Sequence, residues 1–443
     1  MKFASPAVWE RKLDEAVSER PKESRDRAVR QMMTQFDRGD DWRAGSALGR
    51  RKIRVLLQRA GIRPRKWLGQ HFLADPNVAR KICLLAGVEK GDCVIEPGPG
   101  VGSLTVALVS AGAWVLAVEK DPVLADIVSE VVPEALVLHA DALTVDIVSE
   151  LRERAVRKET GSPLFSTRSL SGRGPESCGE ASSPADTQLL LPEGAHPTGA
   201  HTTPGGFTVP ARSRGEGGDG GRDLQAHSLR GRPEVAEAFL SSTNWKLVSN
   251  LPYSVGTSLF LRMLIDYQQI QSGVVMLQKE VAERLAAPTR SREASAPTVM
   301  LAYLAEAELV GTVGPEVFYP KPRVESSLLR FRRRSLEGDA PSLELVFTLV
   351  RAAFSKRRKT LYNSLSNLGW FGSQQELKQI LRSAGVDPTA RPEEVGLEGF
   401  ISIASAVAKS YPEGSLGCEN TSGLPPLLSA EDGPAGKGAI STE

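Results

Sequence analysis

Cysteine is scarce in this chain, and the few that occur are scattered. Cys83, Cys93, Cys178 and Cys418 are the only four in 443 residues, and no two stand in a C-x-x-C pair. That argues against a disulfide framework and a cysteine-based zinc site, and points to a reducing, cytoplasmic compartment. Histidine is also sparse, with five residues and no metal-ligand spacing, so no metal is expected. No apolar run is long enough to cross a bilayer, so no membrane partner is expected. The opening Met1-Lys2-Phe3, followed by the charged stretch from Glu10 to Glu15, lacks the apolar core of a secretion signal. Apolar residues make up 41%, slightly low for a globular chain, as when unfolded stretches dilute a core. The formal charge of +2 says little by itself. Its distribution says more.

Basic residues gather in the first sixty-odd positions, where they outnumber the interspersed acids, and again from Arg330 to Lys359. Local patches of this kind bind phosphate backbones even when the total nearly balances. Residues 1–60 read as a basic, largely helical extension. Strands and helices then alternate: helical periodicity over 76–88, a strand at 92–96, a helix at 103–111, a strand at 114–118, a helix at 122–131 and a strand at 136–139. Short connections between them predict a parallel sheet with helices on both faces. From about 161 to 231 the chain is Gly, Ser, Pro, Thr and Arg with few aromatics. Such a stretch buries too little apolar surface to offset its ordering entropy, so a disordered insert is expected there. Alternation resumes with a helix at 234–240 and a strand at 246–249, and runs to a strand at 328–332. Positions 342–410 are helical throughout, as a small second domain, and 411–443 form a Gly/Ser/Glu tail.

Between the strand at 92–96 and its helix lies Glu96-Pro97-Gly98-Pro99-Gly100-Val101-Gly102. Glycines there let a ligand approach the backbone, and the helix start offers free N–H groups. Glu119 ends the next strand, where a carboxylate can accept from ribose hydroxyls, and Asp141 ends the third, on the adenine side. Such turns also serve dinucleotides, and some are only tight turns. A second motif narrows the choice. After the strand at 246–249 comes Asn250-Leu251-Pro252-Tyr253. The adenine N6 amine is a weak nucleophile because its lone pair is delocalised into the ring. The Asn250 amide oxygen and the Leu251 carbonyl can accept both N6 protons, and Pro252 restricts the residue before it. Tyr253 can stack on an extruded base.

These motifs resemble those of the ribosomal RNA adenine dimethyltransferase family, over about 63–155 and 234–405. Lys66-Trp67-Leu68-Gly69-Gln70-His71-Phe72-Leu73 is similar to the family's entry motif, which lies against the cofactor. Glu96 to Gly102, Glu119 with Lys120, Asp141-Ala142 and Asn250 to Tyr253 match its later motifs in order. Phe318-Tyr319-Pro320-Lys321-Pro322-Arg323-Val324-Glu325-Ser326 matches a loop whose aromatic, here Phe318, is expected to stack on the target base opposite Tyr253. The stretch Phe354 to Lys359 matches a basic helix.

The resemblance implies a Rossmann-like class I methyltransferase sheet with helices on both faces plus a small all-α C-terminal domain. It implies S-adenosyl-L-methionine as methyl donor, with S-adenosyl-L-homocysteine as product. Gln70, His71, Leu73, Glu96, Gly98, Gly100, Gly102, Glu119, Lys120, Asp141, Ala142 and Asn250 would bind it. The implied substrate is a pair of adjacent adenines in the 3′-terminal hairpin of small-subunit rRNA, each methylated twice, within a pre-30S particle and by a monomer. Arg330, Arg332, Lys356, Arg357, Arg358 and Lys359 are the expected RNA contacts, against the alternative of a merely solvated charged face. The chain departs from the family in the insert, in its N-terminal extension, in His71 where Asn is common, and in Ser295-Ala296-Pro297-Thr298 where an aromatic-glycine pair is usual. The residues alone leave open a large-subunit adenine methylase of the macrolide-resistance type and a non-catalytic assembly factor. A nicotinamide dehydrogenase is more distant, for want of a hydride-transfer base.

Overall fold

The computed structural model describes residues 48–62, 64, 70–160, 232–335, 341–356 and 358–411. The expected insert at 161–231, most of the N-terminal extension, the tail beyond 411 and Arg357 lie outside them. Helix α1 (Arg50–Arg59) buries Ile53 and Leu57 on one face. Strand β1 (Phe72–Leu73) and helix α2 (Pro76–Leu85) follow. Asp75 caps α2 by accepting from Asn77 N–H, and Pro76 takes the first position, where a missing N–H is no loss. Next come β2 (Cys93–Pro97), α3 (Ser103–Ser110), β3 (Trp114–Glu119), α4 (Pro122–Val131), β4 (Leu136–His139) and α5 (Ile147–Thr160). Beyond 231 the order is α6 (Pro233–Ser241), β5 (Trp245–Asn250), α7 (Gly256–Asp266), β6 (Ile270–Gln278), α8 (Lys279–Leu285) and α9 (Ala296–Leu304). Strands β7 (Ala305–Val313), β8 (Phe318–Tyr319) and β9 (Ser326–Arg333) lead to helices α10 (Leu343–Phe354), α11 (Leu361–Leu365), α12 (Gln374–Ser383) and α13 (Pro392–Ser410).

Seven strands form one sheet in the order β4-β3-β2-β5-β6-β9-β7. The run from β4 to β6 is parallel, as the alternation requires. Strand β9 is antiparallel to both β6 and β7. That edge differs from the all-parallel expectation, because a short loop carrying β8, not a crossover helix, joins β7 to β9. Strand β8 pairs with β1 in a separate antiparallel ribbon, Phe72 opposite Tyr319 and Leu73 opposite Phe318.

Two apolar clusters fill the molecule. One contains Ile53 and Leu57 of α1 with Ile82, Leu104, Val248 and Phe318. The other joins Phe260 and Leu301 of α7 and α9 to Phe347, Val350, Phe400 and Ile403 of α10 and α13. The helical segment after 342 therefore shares its core with the helices of the sheet. Ser295 and Thr298 open α9. The Thr298 hydroxyl accepts from Ser295 N–H at 3.0 Å and donates to the Arg284 carbonyl at 2.9 Å. Both groups thereby satisfy a helix start that would otherwise be bare.

The expected RNA contacts near 330 need correction. Arg330 is paired with Glu308 across the β9–β7 ladder and is largely buried. Arg333 donates to the carbonyls of Leu264 at 2.7 Å, Tyr267 at 3.0 Å and Ile270 at 2.6 Å, closing the end of α7. Arg334 lies 3.7 Å from Glu306. Arg332 alone of this group is exposed. The second group sits on a turn and not on a helix, since α10 ends at Phe354; Lys356, Arg358 and Lys359 are exposed there. Replacing Arg333 by Ala removes three charge-assisted hydrogen bonds at part-buried carbonyls, of which Tyr267's keeps a backbone donor, Ile270 N–H, so chemical denaturation is expected to show a loss of about 2–4 kcal/mol. An unchanged midpoint would mean that these carbonyls find other donors.

Candidate active site

Strands β2 and β5 lie side by side in the sheet, but their ladder stops early. Pairing runs only from Cys93–Trp245 to Ile95–Leu247. Past it the Ser249 hydroxyl donates to the Pro97 carbonyl at 2.7 Å, replacing a ladder bond with a side chain. Chain connections leave β2 towards β3 and β5 towards β6, so a crevice opens at the carboxyl ends where the order reverses. A cavity of about 460 Å³ occupies this place.

The glycine loop forms its floor. Gly98, Gly100 and Gly102 have φ of 71°, 61° and 86°, in the left-handed region that favours glycine. A β-carbon on Gly100 would lie 2.8 Å from Phe72 Cδ1, so space as well as backbone conformation demands glycine. Glu119, at the end of β3, accepts from Gly100 N–H at 3.1 Å and Asp121 N–H at 3.0 Å. Two backbone donors leave a carboxylate with acceptor sites to spare. Burial raises its proton affinity, and these N–H groups oppose the rise.

Glu96 differs. It is 1% exposed, and its Oε2 has no hydrogen-bond partner. Burial, opposed by the neighbouring Thr105 hydroxyl and reinforced by the Glu119 charge, pushes its pKa from 4.5 up to about 8. A buried carboxylate oxygen without a donor at the wall of a cavity is suited to an ammonium or hydroxyl of a bound ligand.

Across the cavity stands Asn250. Its Nδ2 donates to the His71 carbonyl at 3.1 Å. A carbonyl only accepts, so the amide must turn its NH₂ to His71, and its oxygen is left for another donor. His71 is itself held by Nδ1, which donates to the Pro320 carbonyl at 2.8 Å. The His71 ring stands 5.3 Å from the Tyr253 ring, tilted by 36°. The Tyr253 hydroxyl is 2.6 Å from Ser326 Oγ, which anchors that ring from its far end.

Of the residues singled out from sequence, Gln70, His71, Leu73, Glu96, Gly98, Gly100, Glu119, Lys120, Asn250, Leu251, Pro252 and Tyr253 line this one cavity. Gly102 does not; it begins α3. Asp141 and Ala142 are also absent from the lining. Burial alone would raise the Asp141 pKa, but the Lys120 ammonium at 2.7 Å and Leu143 N–H at 3.0 Å outweigh it and hold the group below its usual range. Lys120 thus ties Asp141 to the rim.

Phe318 is a correction. It is fully buried, in the apolar cluster with Val248 and Leu328, and the aromatic beside Tyr253 is His71. Along a strand, neighbours face opposite ways, and nothing in Phe318-Tyr319 reveals which one turns inward. Sequence reasoning missed Ser103, Asp121, Pro122 and Leu124, which also line the cavity. The Asp-Pro pair was the available signal, since Asp121 caps α4 through Val123 and Leu124 N–H and so marks where the chain turns past Glu119.

Two outcomes test this description. Between pH 4.5 and about 8, folded Glu96 holds a proton that the unfolded chain has released, so stability must fall as pH rises through that window. The melting temperature of the ligand-free protein is expected to drop over that range, and more shallowly in Glu96→Gln. Parallel curves would place the carboxyl in water. Gly100→Ala is expected to cost about 1–3 kcal/mol in a denaturant melt, as a strained left-handed residue does, and to weaken ligand binding by displacing Phe72.

The family described as ribosomal RNA adenine dimethylase matches residues 61–183 and 222–409. The ribosomal RNA small subunit methyltransferase A of Kineococcus radiotolerans is 35% identical over 360 residues, covering 81% of this chain and 91% of that protein. Its counterpart in Nocardia farcinica is 33% identical over 372 residues, covering 83% and 97%. Among solved structures, a dimethyladenosine transferase from Plasmodium falciparum aligns over 76% of this chain and 98% of its own, with 17% identity and a TM-score of 0.47. By the extent of the family match and the identity to these relatives, the chain belongs to the ribosomal RNA adenine dimethylase family.

Proposed function

We propose that this protein transfers methyl groups from S-adenosyl-L-methionine to the N6 amines of two adjacent adenines in the 3′-terminal hairpin of small-subunit rRNA. It acts as a cytoplasmic monomer on a pre-30S particle and modifies each adenine twice. One observation carries the reading: the Asn250 amide, oriented by the His71 carbonyl, shares a cavity with the glycine loop and the unpartnered Glu96 oxygen.

The residues present fit the donor. Glu96 offers an acceptor to its ammonium group, Glu119 keeps acceptor sites for ribose hydroxyls, and the glycine turn leaves room for close backbone approach. Asp141, held by Lys120, closes the adenine side from outside the cavity lining. When bound, S-adenosyl-L-methionine supplies an electrophilic methyl group and leaves as S-adenosyl-L-homocysteine. Asn250 Oδ1 and the Leu251 carbonyl accept the two N6 protons of an adenine swung out of its helix, which favours a pyramidal nitrogen with its lone pair free. Tyr253, pinned through Ser326, provides a stacking face for the base. Alignment supplies most of the acceleration, since the nitrogen loses its proton readily once it is methylated. Arg332, near the end of β9, and Lys356, Arg357, Arg358 and Lys359, after α10, remain the proposed phosphate contacts, and they make subunit binding steeply salt-dependent.

Mass mapping of rRNA after incubation of unmethylated small subunits with protein and donor is expected to show four added methyl groups on that hairpin. Methylation confined to naked large-subunit RNA would overturn the assignment. Asn250→Ala is expected to lower turnover about a hundredfold or more, the scale of a misaligned reacting group, with donor affinity nearly unchanged by calorimetry. Lost affinity with normal turnover at saturation would reverse the roles given to Asn250 and the glycine loop.

A further inference from the structure

Helix α1 lies outside the residues matched by the family, which begin at 61. Its sequence, Arg50-Arg51-Lys52-Ile53-Arg54-Val55-Leu56-Leu57-Gln58-Arg59, holds five cations and no acid. Ile53 and Leu57 are buried in the cluster that contains Phe318, while all five cations are exposed. Among the described residues none of the five has a carboxylate partner. By contrast, among the described residues Arg330, Arg334, Arg262 and Arg284 each face an acid.

Two of the cations fasten the helix to the ribbon beside the cavity. Arg50 donates to the carbonyls of Glu316 and Phe318, and the Arg54 guanidinium lies 5.7 Å over the Tyr319 ring. From Tyr319 the chain runs through exposed Lys321 and Arg323 to Ser326, which holds the Tyr253 hydroxyl. Cations therefore continue from α1 along one segment as far as Arg323, and the acid beyond it, Glu325, is paired with Lys279. Pro320, within that segment, fixes His71 and through it Asn250.

We infer that the cationic face of α1 is a docking surface for the phosphate backbone of the substrate RNA flanking the target adenine. The inference rests on the proposed RNA substrate and adds a surface to it. A basic amphipathic helix can also serve a membrane, but that needs its apolar face free, and here Ile53 and Leu57 are already packed. What remains available is charge. A ten-residue helix is about 15 Å long, roughly the rise of four stacked nucleotides, so several phosphates fit alongside it. Arg51, Lys52 and Arg59 carry no anchoring role and are the free contacts.

The test uses the full-length chain and the triple variant Arg51→Gln/Lys52→Gln/Arg59→Gln, with Arg51→Lys/Arg59→Lys as the charge-preserving control. Binding of protein-free small-subunit rRNA is read by fluorescence anisotropy across a salt series, and methylation is measured separately. Each lost phosphate contact lowers the slope of log affinity against log salt by about 0.7, so the triple variant is expected to lose about 2. Near physiological salt its affinity for RNA is expected to fall about tenfold or more, with KM rising, kcat unchanged and the lysine control like wild type. Arg51→Gln alone, expected to lower the slope by about 0.7, keeps the test decisive if the triple variant folds poorly. An unchanged slope would overturn the inference. So would a change seen with intact subunits but not with protein-free rRNA, which would assign the helix to an acidic ribosomal protein. Wild-type protein that binds RNA through α1 yet methylates nothing would refute the activity proposed above and leave this surface standing.

Discussion

The hydrogen bond from the Asn250 amide to the His71 carbonyl is the contact on which the site depends. An asparagine side chain is nearly symmetric in shape and can present either its oxygen or its NH₂ to a cavity. Only a partner of fixed polarity decides between them, and a backbone carbonyl is such a partner. His71 is in turn placed by Pro320, just after β8, and β8 is placed by pairing with β1. The orientation of the Asn250 amide thus rests on a two-stranded ribbon whose strands come from distant parts of the chain and stand outside the main sheet. The His71 ring joins this arrangement through a bond that its Nδ1 donates to the Pro320 carbonyl.

The two buried carboxylates of the cavity divide the work by how they are satisfied. Glu119 is held by two backbone N–H groups, so it shapes the glycine loop whether or not a ligand is present. Glu96 has an oxygen with no donor, and its burial destabilises the charged form. A ligand that brings positive charge would relieve that penalty, which suits Glu96 to the recognition role proposed for it. The crevice itself exists because β2 and β5 part company after Leu247, with Ser249 covering the carbonyl that the ladder leaves behind.

Charge in this protein falls into two kinds that composition does not separate. Arg333 is structural, spending its donors on three carbonyls, and Arg330 is matched to Glu308. The cations of α1 and of the turn after α10 face water. Burial and partner decide which arginine is free to meet a phosphate, and both are tertiary properties.

The amino-acid sequence by itself determined the alternation of strands and helices, the glycine turn after β2, the acid that ends β3 and the one just past β4, and the Asn250–Tyr253 turn at the end of β5. These are local matters of periodicity, backbone freedom and turn chemistry, legible within a few residues. Only the tertiary structure decided that β9 inserts antiparallel between β6 and β7, that Phe318 turns into the core while His71 meets Tyr253, and that Asp141 reaches the cavity only through Lys120. It also decided that Arg330 and Arg333 belong to the fold. Each of these depends on what a side chain meets across space. In an α/β chain, partners such as His71 and Pro320 are 249 residues apart, and no local pattern records which will touch.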